Sequence, residues 1–366
     1  MSTLATNAIT DASGGNTTTI NGYTPTMSNM AGRNRIINGD MRIDQRNAGA
    51  AVTINTAASI YTIDRWTAYG QGSDGVFTVQ QSSTAPSGFT NSLAVTVTTA
   101  DASISAAQLY TIGHKVEGYN LADLGWGTAN AKTITMSFWV RSSLTGTFSG
   151  SLKNSDGTRS YPFTYTISVA NTFEYKTITI AGDTSGTWLT TNGIGLTLTI
   201  SLGSGSNRLA TAGAWAAGNY DGATGAVTLI STNGATFYIT GVQLEEGSVA
   251  TPFEHRQYGQ ELALCQRYYY NSYPSGFSGT GHTFAGGVIP SAASIAECCV
   301  GFPVSMRTTP TVTFPDGLGQ SGVAAASAAT ASQIYTTGFL RGNKSSGSFT
   351  SASSLVTGGF IASAEL

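Results

Sequence analysis

The stretch 133–141, T-I-T-M-S-F-W-V-R, alternates between apolar and other side chains at every residue. The apolar residues between Ile134 and Val140 fall on one face of an extended chain, which predicts a strand buried on one side. The stretch 193–202, G-I-G-L-T-L-T-I-S-L, repeats this pattern. Turn sequences such as N-S-D-G and N-G separate the strand-like segments. The sequence therefore predicts an all-β protein whose main domain is a β-sandwich or jelly roll.

Composition excludes several classes of protein. The chain has 366 residues, of which only 10% are charged, and its net charge is −2. A nucleic-acid-binding protein would carry a basic surplus, and a membrane span would need about 18 consecutive apolar residues. Three cysteines cannot form a closed disulfide framework, and the three histidines are isolated. We expect no nucleic-acid partner, no membrane insertion, no metal site and no cofactor.

Charge and periodicity divide the chain into four parts. Residues 1–34 have no sustained apolar period and predict an extended N-terminal arm, either disordered or ordered on another chain. Residues 35–257 hold the best alternating segments and all five tryptophans, so they predict the larger sandwich domain. Residues 258–271 predict a connector helix. Residues 272–366 predict a smaller β-sandwich, whose thin core favours oligomerisation.

The connector helix carries one stripe of larger side chains. Tyr258, Leu262, Cys265 and Tyr269 recur at helical spacing. We take Leu262, Cys265 and Tyr269 as a candidate oligomer interface around a symmetry axis. The same stripe could instead pack on the sandwich of its own chain, and the sequence leaves both possibilities open.

Aromatic residues on polar segments are candidate ligand contacts. Trp139 and Arg141 share the polar face of the strand at 133–141, where the indole could stack on a sugar ring and the guanidinium could bond hydroxyl groups. Structurally, a loop, a neighbouring strand or a second subunit could instead cover Trp139. Trp188, Trp215 and Tyr220 lie in Gly/Thr-rich loops. They are candidate sugar contacts, and the alternative is that they anchor these loops.

A second candidate region is the segment 271–284, N-S-Y-P-S-G-F-S-G-T-G-H-T-F. It interleaves aromatic and flexible residues as recognition loops do, or else it wraps and plugs a small core. The candidate contacts are Tyr273, Phe277, His282 and Phe284.

Carboxylates are too scarce and too dispersed to predict catalysis. Several of the 19 acidic residues lie in turn sequences, such as Asp156-Gly157 and Asp221-Gly222. Glu245 and Glu246 are adjacent in a strand-like segment and would face opposite sides. Paired acid and base groups for glycoside cleavage are therefore not predicted. We expect no catalytic residues and no enzymatic activity.

Five stretches give the sequence a resemblance to phage tail-fibre and related virion proteins. They are R-N-R-I-I-N-G-D-M-R-I-D-Q-R at 33–46, Y-T-I-D-R-W at 61–66, F-Y-I-T-G-V-Q-L-E-E-G-S-V-A-T-P-F-E-H-R at 237–256, E-L-A-L-C-Q-R-Y-Y at 261–269, and V-G-F-P-V-S-M-R-T-T-P-T-V-T at 300–313. The middle domain also resembles carbohydrate-binding jelly rolls, with an opening N-G-x-M strand and an early D-x-W. Thr240-Gly241 stands where such modules often carry an Asp pair, which puts a structural calcium site in doubt.

This resemblance implies a role for the whole chain. It implies a homotrimeric fibre of the virion, placed in the tail, that is attached to other virion proteins through the N-terminal arm. The distal end would bind host cell-surface polysaccharide and so mediate host recognition and adhesion. A head-decoration or neck fibre with a structural role only is an alternative. A polysaccharide depolymerase is a second alternative, which the scarce carboxylates disfavour.

Overall fold

A computed structural model describes most of the chain after residue 31. The described residues are 32–71, 74–273, 283–289, 295–313, 331–344, 353–358 and 360–366. Residues 1–31, nearly all of the predicted arm, lie outside them. Arg33 and Asn34, which we assigned to the arm, belong instead to the folded body, because both bond to residues 242–254.

Two antiparallel sheets form the large domain. The first has six strands, in the spatial order β1 (Val52–Ile54), β4 (Val76–Ser82), β5 (Ser92–Thr99), β15 (Thr236–Glu246), β7 (Ile134–Ser142) and β10 (Glu174–Ile180). The second has seven strands, in the order β13 (Ala216–Ala217), β9 (Arg159–Ile167), β8 (Gly146–Lys153), β11 (Ile194–Ser204), β6 (Leu109–Glu117), β3 (Trp66–Tyr69) and β2 (Ser59–Ile63). The chain passes repeatedly between the sheets, as in a jelly roll.

The alternating side chains build the core between these sheets. Ile134, Met136, Phe138 and Val140 are fully buried from one sheet, and the alternate residues from Leu196 to Leu202 are buried from the other. The prediction of an all-β sandwich is therefore confirmed. Removing such side chains from water is the main favourable contribution to folding here, about 25 cal/mol for each Å² of apolar surface.

The remaining elements are short. A parallel pair joins β12 (Leu209–Ala210) to β14 (Gly222–Ala223). The described C-terminal part contains three small sheets. The first consists of β16 (Tyr269–Asn271), β23 (Ile361–Ser363) and β19 (Thr311–Thr313), and the second pairs β17 (Thr283–Ile289) with β22 (Ser353–Gly358). The third consists of β18 (Ile295–Gly301), β21 (Gly338–Lys344) and β20 (Ala331–Tyr335). The helices are the 3-10 turns Gly118–Asn120, Ala122–Leu124, Ser206–Arg208 and Leu229–Ser231, and the α-helix α1 (Tyr258–Gln266). Among the described residues, no helix has the length and apolar composition needed to cross a membrane.

The predicted connector helix over 258–271 is too long. Helix α1 ends at Gln266, and Tyr269 begins a strand that pairs with residues 361–363. Consecutive tyrosines favour a strand, and a ready partner strand makes the extended form the better choice. Tyr269 therefore does not extend the helical stripe.

The stripe also faces its own chain. Cys265 is fully buried with Ile37, Ile43 and Tyr268, and Leu262 packs against this small cluster. Tyr269 is buried as well, with 7% of its surface exposed. The alternative in which Cys265 and Tyr269 face a symmetry axis is corrected, because their surface is already covered within one chain. The homotrimer itself stays a prediction.

Residues 37–40 form a buried turn and the rest of the stretch 33–46 is irregular, so the expected opening strand at N-G-x-M is wrong. The side chain of Asn38 supplies hydrogen bonds that a neighbouring strand would otherwise provide to the backbone. Its Oδ1 accepts a hydrogen bond from Ile43 N at 2.9 Å, and its Nδ2 donates one to Asp64 O at 2.9 Å. Trp66 Nε1 in turn donates to Asn38 O at 3.0 Å. These bonds satisfy backbone groups that would otherwise be buried without partners.

Several of the family-like stretches meet in one place, which we call the motif junction. It consists of residues 33–46, 61–66, 114–117, 261–269 and 360–366. Glu365 binds both Arg46 and the fully buried Arg65. The guanidinium of Arg65 also lies 3.6 Å from the ring centroid of Tyr268.

A second ion pair completes the motif junction. Glu117 bonds Arg267 through both carboxylate oxygens, at 2.7 and 3.0 Å, and accepts the Tyr268 hydroxyl at 2.5 Å. Arg307 donates to the carbonyls of Ala364 and Glu365. The junction thus fastens residues 360–366 to the large sandwich.

Replacing Glu117 tests how much the motif junction contributes to the free energy of unfolding. Glu117→Ala removes a buried carboxylate and leaves the Tyr268 hydroxyl unpaired, so we expect the free energy of unfolding to fall by about 2–3 kcal/mol. Glu246→Ala is the matched control, because Glu246 pairs with Lys132 on the surface and should cost about 0.5 kcal/mol or less. Urea denaturation of both variants measures the difference, and equal costs would contradict the role of the junction.

Stability should also depend on the protonation of Asp64. Burial raises the pKa of Asp64 from 3.8 to about 7, with Arg46 lowering it and Glu365 raising it. The folded state therefore binds more protons than the unfolded state between pH 4 and 7, and this contribution to stability is lost as the pH rises through that window. His114 acts in the opposite direction, because burial lowers its pKa.

Comparison with Asp64→Asn isolates this contribution. We expect the unfolding free energy of the wild type minus that of the variant to fall by on the order of 1–4 kcal/mol from pH 4 to pH 8. Asp156→Asn, an exposed turn residue, should show no such trend. A difference that rises with pH, or stays constant, contradicts the prediction.

Candidate binding surface

The five predicted sugar-contacting residues do not form one site. Trp139 and Arg141 lie on β7, on the outer face of the six-stranded sheet. Trp188 and Trp215 lie in loops and meet each other beside Trp126. Tyr220 makes no ring contact with either group in the described part of the chain; it packs on Gly218, and its N–H donates to Ser160 Oγ.

Strand register builds an aromatic surface around Trp139. Trp139 is paired with Tyr175 of β10, and their ring centroids are 5.4 Å apart. On the other side, Arg141 is paired with Tyr238 of β15, and its guanidinium lies 4.9 Å from that ring centroid. Arg141 Nε donates to Asn171 O at 2.9 Å, which fixes the side chain further. We call Trp139, Arg141, Tyr175 and Tyr238 the aromatic strip.

The aromatic strip is open to solvent. Trp139, Arg141 and Tyr238 are half-buried, and 43% of the surface of Tyr175 is exposed. Planar rings held at fixed spacing by a sheet can stack on the apolar faces of a ligand, while the guanidinium donates hydrogen bonds. Tyr175 of the neighbouring strand covers part of Trp139, as the structural alternative expected, and part of the indole stays exposed.

A bulge in β15 extends the surface to a second group of rings. Gly241 has φ +60°, and a Cβ there would lie 2.6 Å from Phe89 and 3.2 Å from Trp139. The two rings therefore approach each other over a residue without a side chain. Phe89 lies 5.2 Å from Phe253, and 5.3 Å from the ring of His255. This explains why glycine stands at a position where the sequence departs from the carbohydrate-binding pattern.

Sequence reasoning missed Tyr175, Tyr238, Phe89 and Phe253. Tyr238 was visible as a member of the closing strand, and Tyr175 as an aromatic residue in the alternating segment E-Y-K-T-I-T-I. Nothing in the sequence states which residues of β7, β10 and β15 lie opposite each other, so their convergence was not predictable.

The loop tryptophans form a separate indole cluster. The ring centroids of Trp126, Trp188 and Trp215 are 4.7–5.4 Å apart in edge-to-face contacts. Each indole N–H donates to a backbone carbonyl, those of Lys132, Ser185 and Ala181 respectively. These bonds favour our interpretation of Trp188 and Trp215 as loop anchors rather than stacking residues.

The predicted distal recognition loop is only partly described. Tyr273 is half-buried, and its N–H donates to Asn271 Oδ1 at 3.0 Å. Phe277 and His282 lie outside the described residues. The assignment of Phe284 to a loop is corrected, because Phe284 lies in β17, which pairs with β22.

Within the described segments, no group of three or more His, Cys, Asp or Glu side chains is arranged to hold a metal ion.

Comparisons with known proteins gave structural likenesses only. No protein-family model matches the chain, and no curated protein matches it. A tailspike protein 4 enzymatically active domain of bacteriophage CBA120 is 11% identical over 58% of this chain and 21% of its own length, with a TM-score of 0.31. A putative sugar-binding protein from Bacteroides thetaiotaomicron is 12% identical over 59% of this chain and all of its own, with a TM-score of 0.33. A family 11 carbohydrate-binding module from Clostridium thermocellum is 13% identical over 56% of this chain and all of its own length, with a TM-score of 0.27.

The close approach over Gly241 can be tested by adding a methyl group. Gly241→Ala forces the Phe89 ring aside and imposes a positive φ on alanine, so we expect a loss of about 2–4 kcal/mol in unfolding free energy. Gly234→Ala is the matched control, since Gly234 has φ +76° with nothing within 4 Å of a Cβ, and should cost about 1 kcal/mol. Urea denaturation with near-UV circular dichroism measures both effects. Equal costs would show that Phe89 is not held against Gly241.

Proposed function

We propose that this chain is a phage virion fibre protein, of the tail, that adheres to host-surface polysaccharide without cleaving it. The observation that carries the adhesive function is the aromatic strip, with Trp139 and Tyr175 at 5.4 Å and Arg141 beside them. The resemblance of the quoted stretches to tail-fibre proteins supports the place in the virion.

Stacking supplies the affinity in this proposal. The apolar face of a sugar ring buries well on an indole or a phenol, and a rigid sheet holds both rings ready, so little conformational entropy is lost on binding. One strip buries little area and binds weakly. A fibre presents many copies to a polymer with repeating units, and this multivalency raises the effective affinity by orders of magnitude.

The proposal is non-catalytic because the aromatic strip itself contains no carboxylate, and the acidic residue next to Tyr175 in sequence is already bound. Glu174 accepts hydrogen bonds from the backbone N–H groups of Ser168 and Val169 and pairs with Lys176 at 2.7 Å. A glycosidase needs one carboxyl group to donate a proton and a second to act as base or nucleophile. Glu174 is paired with the core residue Val140, so its side chain lies on the opposite face of the sheet from Trp139 and is held there in a structural role.

Assembly completes the proposal. Residues 1–31 attach the chain to other virion proteins, and three copies form the fibre. The low charged fraction of 10% supports a surface largely used for contacts with other chains.

Removing one ring tests the adhesive surface. We expect Trp139→Ala to weaken binding to purified host-surface polysaccharide at least tenfold, because the largest stacking surface is lost. Circular dichroism and thermal unfolding should stay close to the wild type, since Trp139 is half-buried on an outer face. Isothermal titration calorimetry on the full chain measures the affinity.

Two control variants separate the loss of a binding contact from a loss of stability or the removal of any aromatic ring. Trp188→Ala disrupts the indole cluster and should lower thermal stability while leaving the affinity unchanged. Tyr119→Ala removes a 61% exposed ring from a 3-10 turn and should change neither. Release of reducing sugar from the polysaccharide would overturn the non-catalytic assignment, and antibody labelling of the capsid rather than the tail would overturn the location.

A further inference from the structure

Arg141 differs from the other described arginines in its partners. Arg65, Arg159 and Arg267 each pair with a carboxylate, and Arg307 bonds backbone carbonyls. Within the described part of the chain, Arg141 has no carboxylate at ion-pair distance. Its only hydrogen bond there runs from Nε to Asn171 O, so both terminal amino groups have no acceptor among these residues.

The surroundings hold this guanidinium in place without neutralising it. It lies on the Tyr238 ring, and that ring contacts Phe173 at 6.3 Å. Glu174 and Lys176 of the neighbouring strand β10 are paired with Val140 and Phe138, on the opposite face of the sheet, and they form an ion pair with each other. Among the described residues, the guanidinium of Arg141 therefore keeps its positive charge without a carboxylate partner, in a chain whose net charge is −2.

We propose that the aromatic strip selects acidic polysaccharide, with a sugar carboxylate bound by the terminal amino groups of Arg141 while a ring stacks on Trp139. This inference rests on the proposed function, of which it names the ligand class. A planar guanidinium matches a carboxylate with two parallel hydrogen bonds, and such charge-assisted bonds are about twice as strong as neutral ones. A neutral sugar would offer only hydroxyl groups to the same donors.

The test compares polymers that differ only in charge. Polygalacturonate, alginate, hyaluronate and polysialic acid are each offered to the full chain beside their carboxyl-reduced forms, in which the acid has become a primary alcohol. We expect at least one acidic polymer to bind ten times or more tighter than its reduced form. Raising the salt concentration from 50 to 500 mM should weaken the acidic complex alone, because screening acts on the ion pair.

Variants assign the preference to Arg141. Arg141→Gln should abolish the preference for the acidic form and leave weak binding of both forms. Arg141→Lys should restore it only in part, since an ammonium group cannot bind a carboxylate through a planar fork. Lys132→Gln is the matched control, because it removes the same charge from an exposed side chain and should keep the full preference.

The outcomes separate this inference from the proposed function. Equal binding of acidic and reduced polymers that is lost in Trp139→Ala overturns the inference and leaves the adhesive function standing. A preference that survives in Arg141→Gln also overturns it. Failure of every polymer in both forms, or binding unaffected by Trp139→Ala, overturns both.

Discussion

The burial of Arg65 is the constraint on which the rest of the structure depends. Its side chain has no exposed surface, so its charge needs partners inside the protein. Those partners are Glu365, the carbonyl of Lys115 and the Tyr268 ring, which come from three distant parts of the chain. The charge of the guanidinium is compensated only when residues 61–66, β6, the segment just after α1 and residues 360–366 have all come together. A buried charge that would be costly alone thus links the large sandwich to the C-terminal segment.

The motif junction also explains the composition of the chain. Charged residues are scarce, yet many of them gather here, among them Arg46, Arg65, Glu117, Arg267 and Glu365. Three of the stretches that resemble fibre proteins, 33–46, 61–66 and 261–269, therefore have a structural explanation in this chain, because they supply partners of one buried network. The stretch 237–256 instead contributes Tyr238 to the aromatic strip.

The outer face of the six-stranded sheet uses the same residue types for a different purpose. In the indole cluster each ring donates to a backbone carbonyl and fixes a loop. In the aromatic strip the rings stand on neighbouring strands, partly exposed, and the guanidinium among them has no carboxylate partner among the described residues. The physical difference is whether the polar atoms of the side chain are already satisfied within the chain. This difference separates the aromatic residues that anchor loops from those whose faces stay partly exposed.

The fold class follows from local pattern, because alternation of period two places Ile134, Met136, Phe138 and Val140 on one face whatever their partners are. Local pattern also indicates Trp139 and Arg141, since polar neighbours mark the outer face of that strand. The residues that stand beside these two are set by long-range contacts. Register between β7, β10 and β15 depends on long-range pairing, so Tyr175 and Tyr238 could not be placed from local pattern. The same reason applies to the end of helix α1 and to the turns at 33–46, where pairing with distant strands and buried polar groups overrides local preference.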